Sequence, residues 1–476
     1  MISLRFIFKG NACILLTALI LVYVTGCDTL YVRRNKAHRF ATDFKGTYAA
    51  VVDIYEAKVG GTLFYIEKSD GRWKLKQTIG LYDILVDHSP LAVECNDNWI
   101  VLTSIPRNRG DKAKIVLFKK TDTKWGLVPT PACMSDFKFY PVIYGCSEPY
   151  KSIALSNDNQ LFIAQDEHEQ GKVFRFDLNA TPISLKETIR PPEDNFFRSA
   201  NGDGFGFRLF LENDIMVIQD AGVAFSTDEI RQYGLTNDDL DGSRVNGVLR
   251  PVNRTSILAY KLNRKEDRWE FVTDFYKQLP HPPGGILRKP VASSNNAKNS
   301  KQIHWFERVD FFWTTNSNRI ILSTSSMFYP FKTEDGSSWQ LDNQFVPHPR
   351  IDDKRASLEV GEKYSTIFDY GTGCFEVYPS EGLETGKRLW EIALDTQHIP
   401  NIEKYPRVKY AAKFKIVDNS IFAYYLLRTH NPDTVATSTV GRVVIYDIDD
   451  KGGPKESFCM ELPVCDGLVV RDCAAH

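Results

Sequence analysis

The stretch LAVECNDNWIVL at residues 91–102 consists of two apolar segments joined by a short run of asparagine and aspartate. Asn and Asp tolerate left-handed backbone and favour tight turns, so the stretch predicts a β-hairpin. The pattern recurs along the chain, which indicates a repeat architecture. The further copies are SIALSNDNQLFIA (152–164), FRLFLENDIMVI (207–218), DFFWTTNSNRIILS (310–323) and AKFKIVDNSIFAYY (412–425).

A second kind of hairpin follows most copies of the first. GTLFYIEKSDGRWKLKQTI at 61–79 and KIVLFKKTDTKWGLV at 114–128 each place an alternating strand before a charged turn and a strand that opens with Trp. Alternation with a period of two is the signature of a half-buried strand. The tryptophans at these matching places are Trp73, Trp125, Trp269 and Trp390. We interpret them as bulky residues that fill the space between neighbouring sheets.

Two hairpins per unit make a four-stranded antiparallel sheet, and a series of such sheets predicts an all-β protein with a single β-propeller. Seven units can be placed, so we expect seven blades, with six or eight as alternatives. The units lie at 46–80, 89–130, 150–190, 204–275, 307–345, 355–395 and 410–462. The fifth and sixth are the weakest. The first lacks a strand, and we expect GLVVRDC at 467–473 to supply it and close the ring.

The fourth unit resembles an FG-GAP blade, the repeat of the integrin α-subunit propeller. GFGFRLFLENDIMVI at 204–218 carries the resemblance, with Phe205 and Gly206 in the namesake places. The other units lack the Phe-Gly pair, so the resemblance is distant. PQQ-type and WD40-type propellers are neighbouring alternatives.

Asn237, Asp239 and Asp241, followed by Gly242, form the pattern N-x-D-x-D-G. Alternating oxygen ligands before a glycine turn are how a Ca²⁺ loop collects its ligands, and FG-GAP propellers often carry such loops. Valine stands where either kind of calcium loop would have its closing acid, so a polar surface turn is the alternative. Calcium is the one candidate cofactor; otherwise we expect none.

The first 27 residues have the pattern of a secretory signal. Arg5 and Lys9 give a basic start, ACILLTALILVY at 12–23 is apolar, and small residues precede Cys27. The apolar run is shorter than the roughly 20 residues of a membrane span. Val-Thr-Gly-Cys resembles the bacterial lipobox, which implies lipidation of Cys27. The alternative is an ordinary signal peptide or signal anchor.

The lipobox resemblance divides the chain into a signal peptide (1–26), a lipidated tether (27–45) and the propeller (46–476). It places the protein in the bacterial cell envelope, in the periplasm or at the surface, and attached to a membrane. Asp28 follows the lipidated cysteine, which in enterobacterial lipoproteins marks retention in the inner membrane. In such an oxidising compartment disulfides persist, and Cys133 with Cys146 is a candidate pair.

The charge balance and the missing enzyme motifs limit the kinds of partner and reaction that the sequence favours. With 59 basic and 60 acidic residues the chain gives no electrostatic reason to expect nucleic acid as a partner. Nucleophile-elbow, zinc-protease, Walker and dinucleotide motifs are missing from the sequence.

The long insertions at 219–255 and 279–303 are of the length that binding loops have, and we take the first as the recognition element.

We therefore predict a monomeric binding or scaffold module for a protein partner. The alternative is an extracytoplasmic hydrolase or lyase acting on a sugar or lactone at the mouth of the ring. A buried cluster of His, Asp and Glu around the channel would favour the enzyme.

Overall fold

The computed structural model describes twenty stretches of the chain. They are residues 39–54, 61–106, 112–122, 124–134, 153–165, 171–192, 205–224, 244–245, 248–249, 253–279, 286–289, 303–306, 310–314, 319–323, 327–344, 356–369, 372–394, 408–430, 437–449 and 451–462. Within them no helix is long and apolar enough to cross a membrane.

The strands of the first four blades follow the chain in order. Blade 1 contains β1 (Arg39–Phe44), β2 (Tyr48–Ile54), β3 (Thr62–Ser69) and β4 (Arg72–Gly80). Blade 2 contains β5 (His88–Cys95), β6 (Trp99–Pro106), β7 (Lys114–Thr121) and β8 (Lys124–Val128). Blade 3 contains β9 (Ile153–Leu155), β10 (Gln160–Gln165), β11 (Lys172–Asp177) and β12 (Ser184–Ile189). Blade 4 contains β13 (Phe205–Glu212), β14 (Ile215–Ala224), β17 (Asn253–Asn263) and β18 (Arg268–Asp274).

The remaining blades repeat the same order. Blade 5 contains β21 (Asp310–Thr314), β22 (Arg319–Ser323), β23 (Phe328–Lys332) and β24 (Gln340–Leu341). Blade 6 contains β25 (Ala356–Val360), β26 (Tyr364–Asp369), β27 (Cys374–Pro379) and β28 (Trp390–Ala393). Blade 7 contains β29 (Val408–Val417), β30 (Ser420–His430), β31 (Thr437–Asp449) and β32 (Gly453–Leu462). Short 3-10 helices occupy Ala132–Met134, Phe275–Gln278 and Ser380–Gly382.

Two small hairpins stand outside the seven sheets. β15 (Arg244–Val245) pairs with β16 (Val248–Leu249), and β19 (Ile286–Lys289) pairs with β20 (Ile303–Phe306). In each blade the strands are antiparallel and hydrogen-bonded in chain order, so the blades are meanders. The sequence prediction of seven four-stranded blades is confirmed.

The core lies between the blades, because each sheet buries both faces against its neighbours. Apolar clusters fill all seven seams and so close a ring. Blade 7 meets blade 1 through Phe422 and Phe44, whose rings stack with centroids 5.1 Å apart. At about 25 cal/mol per Å² of apolar surface removed from water, these seams are the main source of stability.

The turns between the third and fourth strands explain the Trp repeat. Asp70, Asp122 and Asp267 stand two or three residues before the Trp and have φ values of 54°, 47° and 50°. Asp tolerates this left-handed backbone better than most residues, so it fixes the register in which Trp re-enters the sheet.

The tryptophans fill the seams, as the sequence predicts, but they do not all face the same way. Trp73, Trp125 and Trp269 pack against the preceding blade. Trp390 instead packs towards the following blade, where a Cβ on Gly453 would lie 2.7 Å from its Nε1. The residue that matches the first three in blade 5 is Trp339, against Phe275 of blade 4.

The first blade also differs from the sequence expectation. Its innermost strand is β1 at Arg39–Phe44, so blade 1 includes residues that the sequence analysis assigns to the tether at 27–45. Blade 1 thus draws its four described strands from residues 39–80, so a strand from 467–473 is not needed to complete it. That tail itself lies outside the described residues.

Candidate functional site

The two faces of the ring differ in the length of their connections. Because antiparallel strands alternate in direction, the first-to-second and third-to-fourth connections of every blade leave from one face. We call this the turn face; examples are residues 45–47 and 418–419. The second-to-third connections and those between blades leave from the opposite face, which we call the loop face. Its connections include residues 225–252 and 275–309.

Both of these long connections arise from blade 4, and each contains one of the small hairpins. The connection between β14 and β17 carries β15–β16, and the connection between β18 and β21 carries β19–β20. The first is shorter than the predicted insertion at 219–255, because β14 continues to Ala224 and β17 begins at Asn253. Long connections on a rigid ring are where binding residues concentrate, so this part of the loop face is the first candidate site.

The Phe-Gly pair of blade 4 has a structural role in the seam below these connections. Phe205 is buried between blades 3 and 4, and its ring contacts Tyr260. Gly206 has φ +87°, and a Cβ there would lie 2.3 Å from the Cβ of Ala164. Only glycine allows blade 3 to approach so closely.

A second candidate is a mostly buried charged group at the turn face, formed by the inner strands of blades 1 and 2 and the turn that follows β1. We call it the inner cluster; it comprises Asp43, Lys45, Glu94 and Cys95. The Lys45 Nζ lies 3.5 Å from Asp43 Oδ2 and 3.7 Å from Glu94 Oε2. Asp43 Oδ2 also accepts a hydrogen bond of 2.8 Å from the Cys95 backbone N–H.

The protonation states of the inner cluster follow from burial and charge. Burial lowers the pKa of Lys45, but the carboxylates of Asp43 and Glu94 more than offset this and hold its pKa above the usual value. Burial, followed by the charge of Asp43, raises the pKa of the Cys95 thiol well above its usual value. Thiolate is the reactive form, so Cys95 is inert at neutral pH. The inner cluster joins two blades and holds no activated nucleophile.

The outer strands carry polar contacts across the seams. Between blades 1 and 2, the Gln77 Nε2 donates to the Trp125 carbonyl at 3.1 Å, and the Gln77 Oε1 accepts from the Trp125 backbone N–H at 2.7 Å. Between blades 3 and 4, the Glu187 carboxylate accepts a hydrogen bond from the Trp269 backbone N–H at 3.1 Å. Glu187 also lies 3.5 Å from the Arg175 guanidinium, which in turn donates to the Asp267 carbonyl at 2.8 Å. These contacts fix the blades relative to one another.

Several residues singled out by sequence lie outside the described part of the chain. They are Cys27, Asn237, Asp239, Asp241 and Cys146, so lipidation, the calcium loop and the disulfide stay predictions. Cys133 is described and exposed, with its Sγ 3.7 Å from the Ile183 carbonyl oxygen. In the described stretches no three His, Cys, Asp or Glu side chains are grouped as metal ligands would be.

Sequence reasoning missed the inner cluster. Its members stand at the ends of two strands that are far apart in sequence, and only ring geometry brings β1 beside β5. A signal was nevertheless present: an acid is the last residue but one of each strand, at Asp43 in β1 and at Glu94 in β5. Acids at such places are common in turns, so the spacing alone could not distinguish a seam contact from a solvated turn.

No protein-family model and no curated protein matches the chain. Among solved structures, it is similar to Hsv2 of Kluyvelomyces marxianus, with 11% identity, a TM-score of 0.37, and coverage of 87% of this chain and 95% of that one. A periplasmic gluconolactonase of Pseudomonas aeruginosa has 9% identity and a TM-score of 0.39 over 75% and 85% of the two chains. Prolyl oligopeptidase B of Galerina marginata has 9% identity and a TM-score of 0.43 over 89% of this chain and 51% of its own. Likeness at this level carries no functional argument.

Proposed function

We propose that this chain is a lipid-anchored extracytoplasmic β-propeller that acts as a binding scaffold for a protein partner. One observation carries the proposal: both hairpin-bearing connections leave the loop face at blade 4, between β14 and β17 and between β18 and β21. Two long connections that leave the same face of one blade give a partner a local contact area, and the ring fixes the strand ends from which they leave.

The rigidity of the ring supports this role. Ion pairs and hydrogen bonds cross several seams besides the apolar clusters, as with Lys68 and Asp447 between blades 1 and 7, whose charged atoms lie 3.1 Å apart. A scaffold that does not rearrange loses little entropy when a partner binds.

The alternative of an enzyme at the ring mouth has less support. The buried carboxylates of the inner cluster lie at the turn face, away from the long connections, and Lys45 occupies the space between them. Cys95 beside them is held in its thiol form. This arrangement stabilises the seam between blades 1 and 2 and supplies no activated thiol.

The scaffold is tested by crosslinking the full-length protein in cells, followed by affinity purification and mass spectrometry. Replacing residues 227–251 with a short Gly-Ser linker should remove the partner, whereas the same replacement of 346–354 on the loop face between blades 5 and 6 should not. Matching circular dichroism spectra establish that both variants fold. A partner retained by the first variant contradicts the blade 4 contact, and loss from both contradicts its location.

The lipid anchor has its own test. Cys27→Ala should abolish labelling by a radioactive or alkyne-bearing fatty acid and release the protein from membranes into the soluble fraction. Labelling that persists in this variant contradicts the anchor.

A further inference from the structure

The position of the first strand constrains how the ring faces the membrane. β1 is the innermost strand of blade 1, and its first residue, Arg39, lies at the loop face because Phe44 leads into the turn at 45–47. The chain between the anchor and the ring therefore enters at the loop face, beside the central channel. This step rests on the proposed function, since it takes Cys27 as the lipidated residue.

The length of that chain decides which face can meet the bilayer. From Cys27 to Arg39 there are twelve residue steps, which span at most about 40 Å when fully extended. To put the turn face on the membrane, a chain that runs around the outside of blade 1 must cross its four strands, about 14 Å, and then descend a seven-residue strand, about 23 Å. Clearing the side chains uses the remainder, so only a taut chain reaches. The loop face is within reach of every conformation.

The connection between blades 1 and 2 presents apolar side chains on this same face. Leu81 and Leu85 are fully buried in the seam, and the Leu85 N–H donates to the Leu81 carbonyl at 2.8 Å. This anchored turn directs Tyr82 and Val86 outwards, with 38% and 53% of their surfaces exposed. Tyr is enriched where proteins meet the membrane–water interface, because its ring is apolar and its hydroxyl is polar.

We propose that the loop face of blades 1 and 2 rests on the lipid bilayer, with Tyr82 and Val86 in contact with the headgroup region. Asp83 and Asp87 are exposed on the same connection and would be repelled by anionic lipid. The contact is therefore shallow and fits a neutral lipid surface. The anchor maintains it by keeping the loop face at a high effective concentration near the bilayer. The hairpins of blade 4 belong to the same face, so the partner of the scaffold is a protein at that membrane.

The test uses the full-length acylated protein in vesicles of neutral phosphatidylcholine. The photoreactive residue p-benzoyl-phenylalanine replaces Tyr82 in one variant and Arg72 in the other. Arg72 is the exposed first residue of β4, next to the turn-face connection at 70–71 of blade 1, which makes it a matched control. After irradiation, mass spectrometry measures lipid adducts at each position and the acyl group on Cys27 in the same sample.

We expect lipid adducts at position 82 in several-fold excess over position 72. Equal yields, or an excess at position 72, would overturn the orientation while the acyl group on Cys27 upholds the anchor. An acylated protein without adducts at position 82 likewise overturns the contact alone. Absence of the acyl group would overturn the anchor, and with it the tether argument on which the orientation depends.

Discussion

The seam between blades 1 and 2 and the seam between blades 3 and 4 perform the same task with different chemistry. In both, a side chain on the outer strand of one blade accepts a hydrogen bond from the backbone N–H of a tryptophan in the next blade. This tryptophan is Trp125 in the first seam and Trp269 in the second. In the first seam the acceptor is the neutral amide of Gln77. In the second it is the carboxylate of Glu187, accompanied by Arg175.

A charged acceptor in a seam needs a compensating cation, whereas a neutral acceptor does not. A Gln amide both donates and accepts, so it satisfies the Trp125 backbone without further partners. A carboxylate only accepts and must be compensated, which is why Arg175, with a side chain only 3% exposed, spans the seam to Asp267. Burial still raises the pKa of Glu187 above its usual value, even though the Trp269 N–H and Arg175 lower it.

The largest effect should come from the tryptophans, which the two seams share. Trp125→Ala and Trp269→Ala should each lower the free energy of unfolding by about 3–5 kcal/mol, since each leaves a cavity in a packed seam. Urea denaturation measures both. The exposed Leu127→Ala, on the same strand as Trp125, is the control and should change little. Losses that differ strongly between the tryptophans would show that the seams are not equivalent.

Removing the cation should affect only the charged seam. Arg175→Met leaves Glu187 without its counter-charge and should cost about 2 kcal/mol, below the range for fully buried pairs because Asp267 is half exposed. Arg175→Met combined with Glu187→Gln should recover part of the loss. A double-mutant cycle measures this coupling, and strict additivity of the two changes would contradict it.

Converting the charged seam to the neutral type should change its pH dependence. The pKa of Glu187 is raised in the folded state, so the folded protein binds this proton more tightly and stability falls as pH rises from about 4.5 through the raised value. Glu187→Gln keeps the acceptor for Trp269 and should remove that part of the slope. Unfolding free energies between pH 4 and 7 provide the check; an unchanged slope would assign it to another group.

The smallest effect should appear at the seam between blades 7 and 1. Burial raises the pKa of Asp447, but hydrogen bonds from Ser420 and Lys68 outweigh it and hold the pKa below 3.8. The contribution is therefore present above about pH 3.8 and disappears as pH falls through the lowered value. Both partners are about one-third exposed, so Asp447→Asn should cost less than about 1 kcal/mol at pH 7, and the cost should shrink as the pH falls through the lowered pKa. A cost that does not change with pH would contradict the assignment.

The fold was accessible from sequence because its signals are local. The Asn/Asp turns and the charged turns before Trp73 or Trp125 report hairpins within about twenty residues, and hairpins in series leave few architectures. The sequence analysis did not predict the first strand, because RFATDF at 39–44 is short and weakly alternating. It did not predict the direction of the Trp390 side chain, because that direction depends on the neighbouring blade, where Gly453 leaves room for the indole.

The candidate site was less accessible for the same reason. The length of the insertions identified the two blade 4 connections in the sequence. Only the strand order shows that both connections leave the same face of the ring. The inner cluster depends on contacts between β1 and β5, which no pattern within either strand encodes. Local periodicity therefore predicts blades, whereas the seams and faces of the ring require the assembled geometry.

In the described residues blade 1 has four strands of its own, so the ring closes through contacts between blades 7 and 1, which lie at opposite ends of the described chain. Chains are synthesised from the N-terminus, so the residues of blade 1 emerge first and those of blade 7 last. Blade 1 then presents Phe44, Ile66 and Trp73 as an open apolar face until residues 408–462 supply blade 7. The interval between the two is a window for aggregation, and a holding chaperone that covers this face would be most needed there.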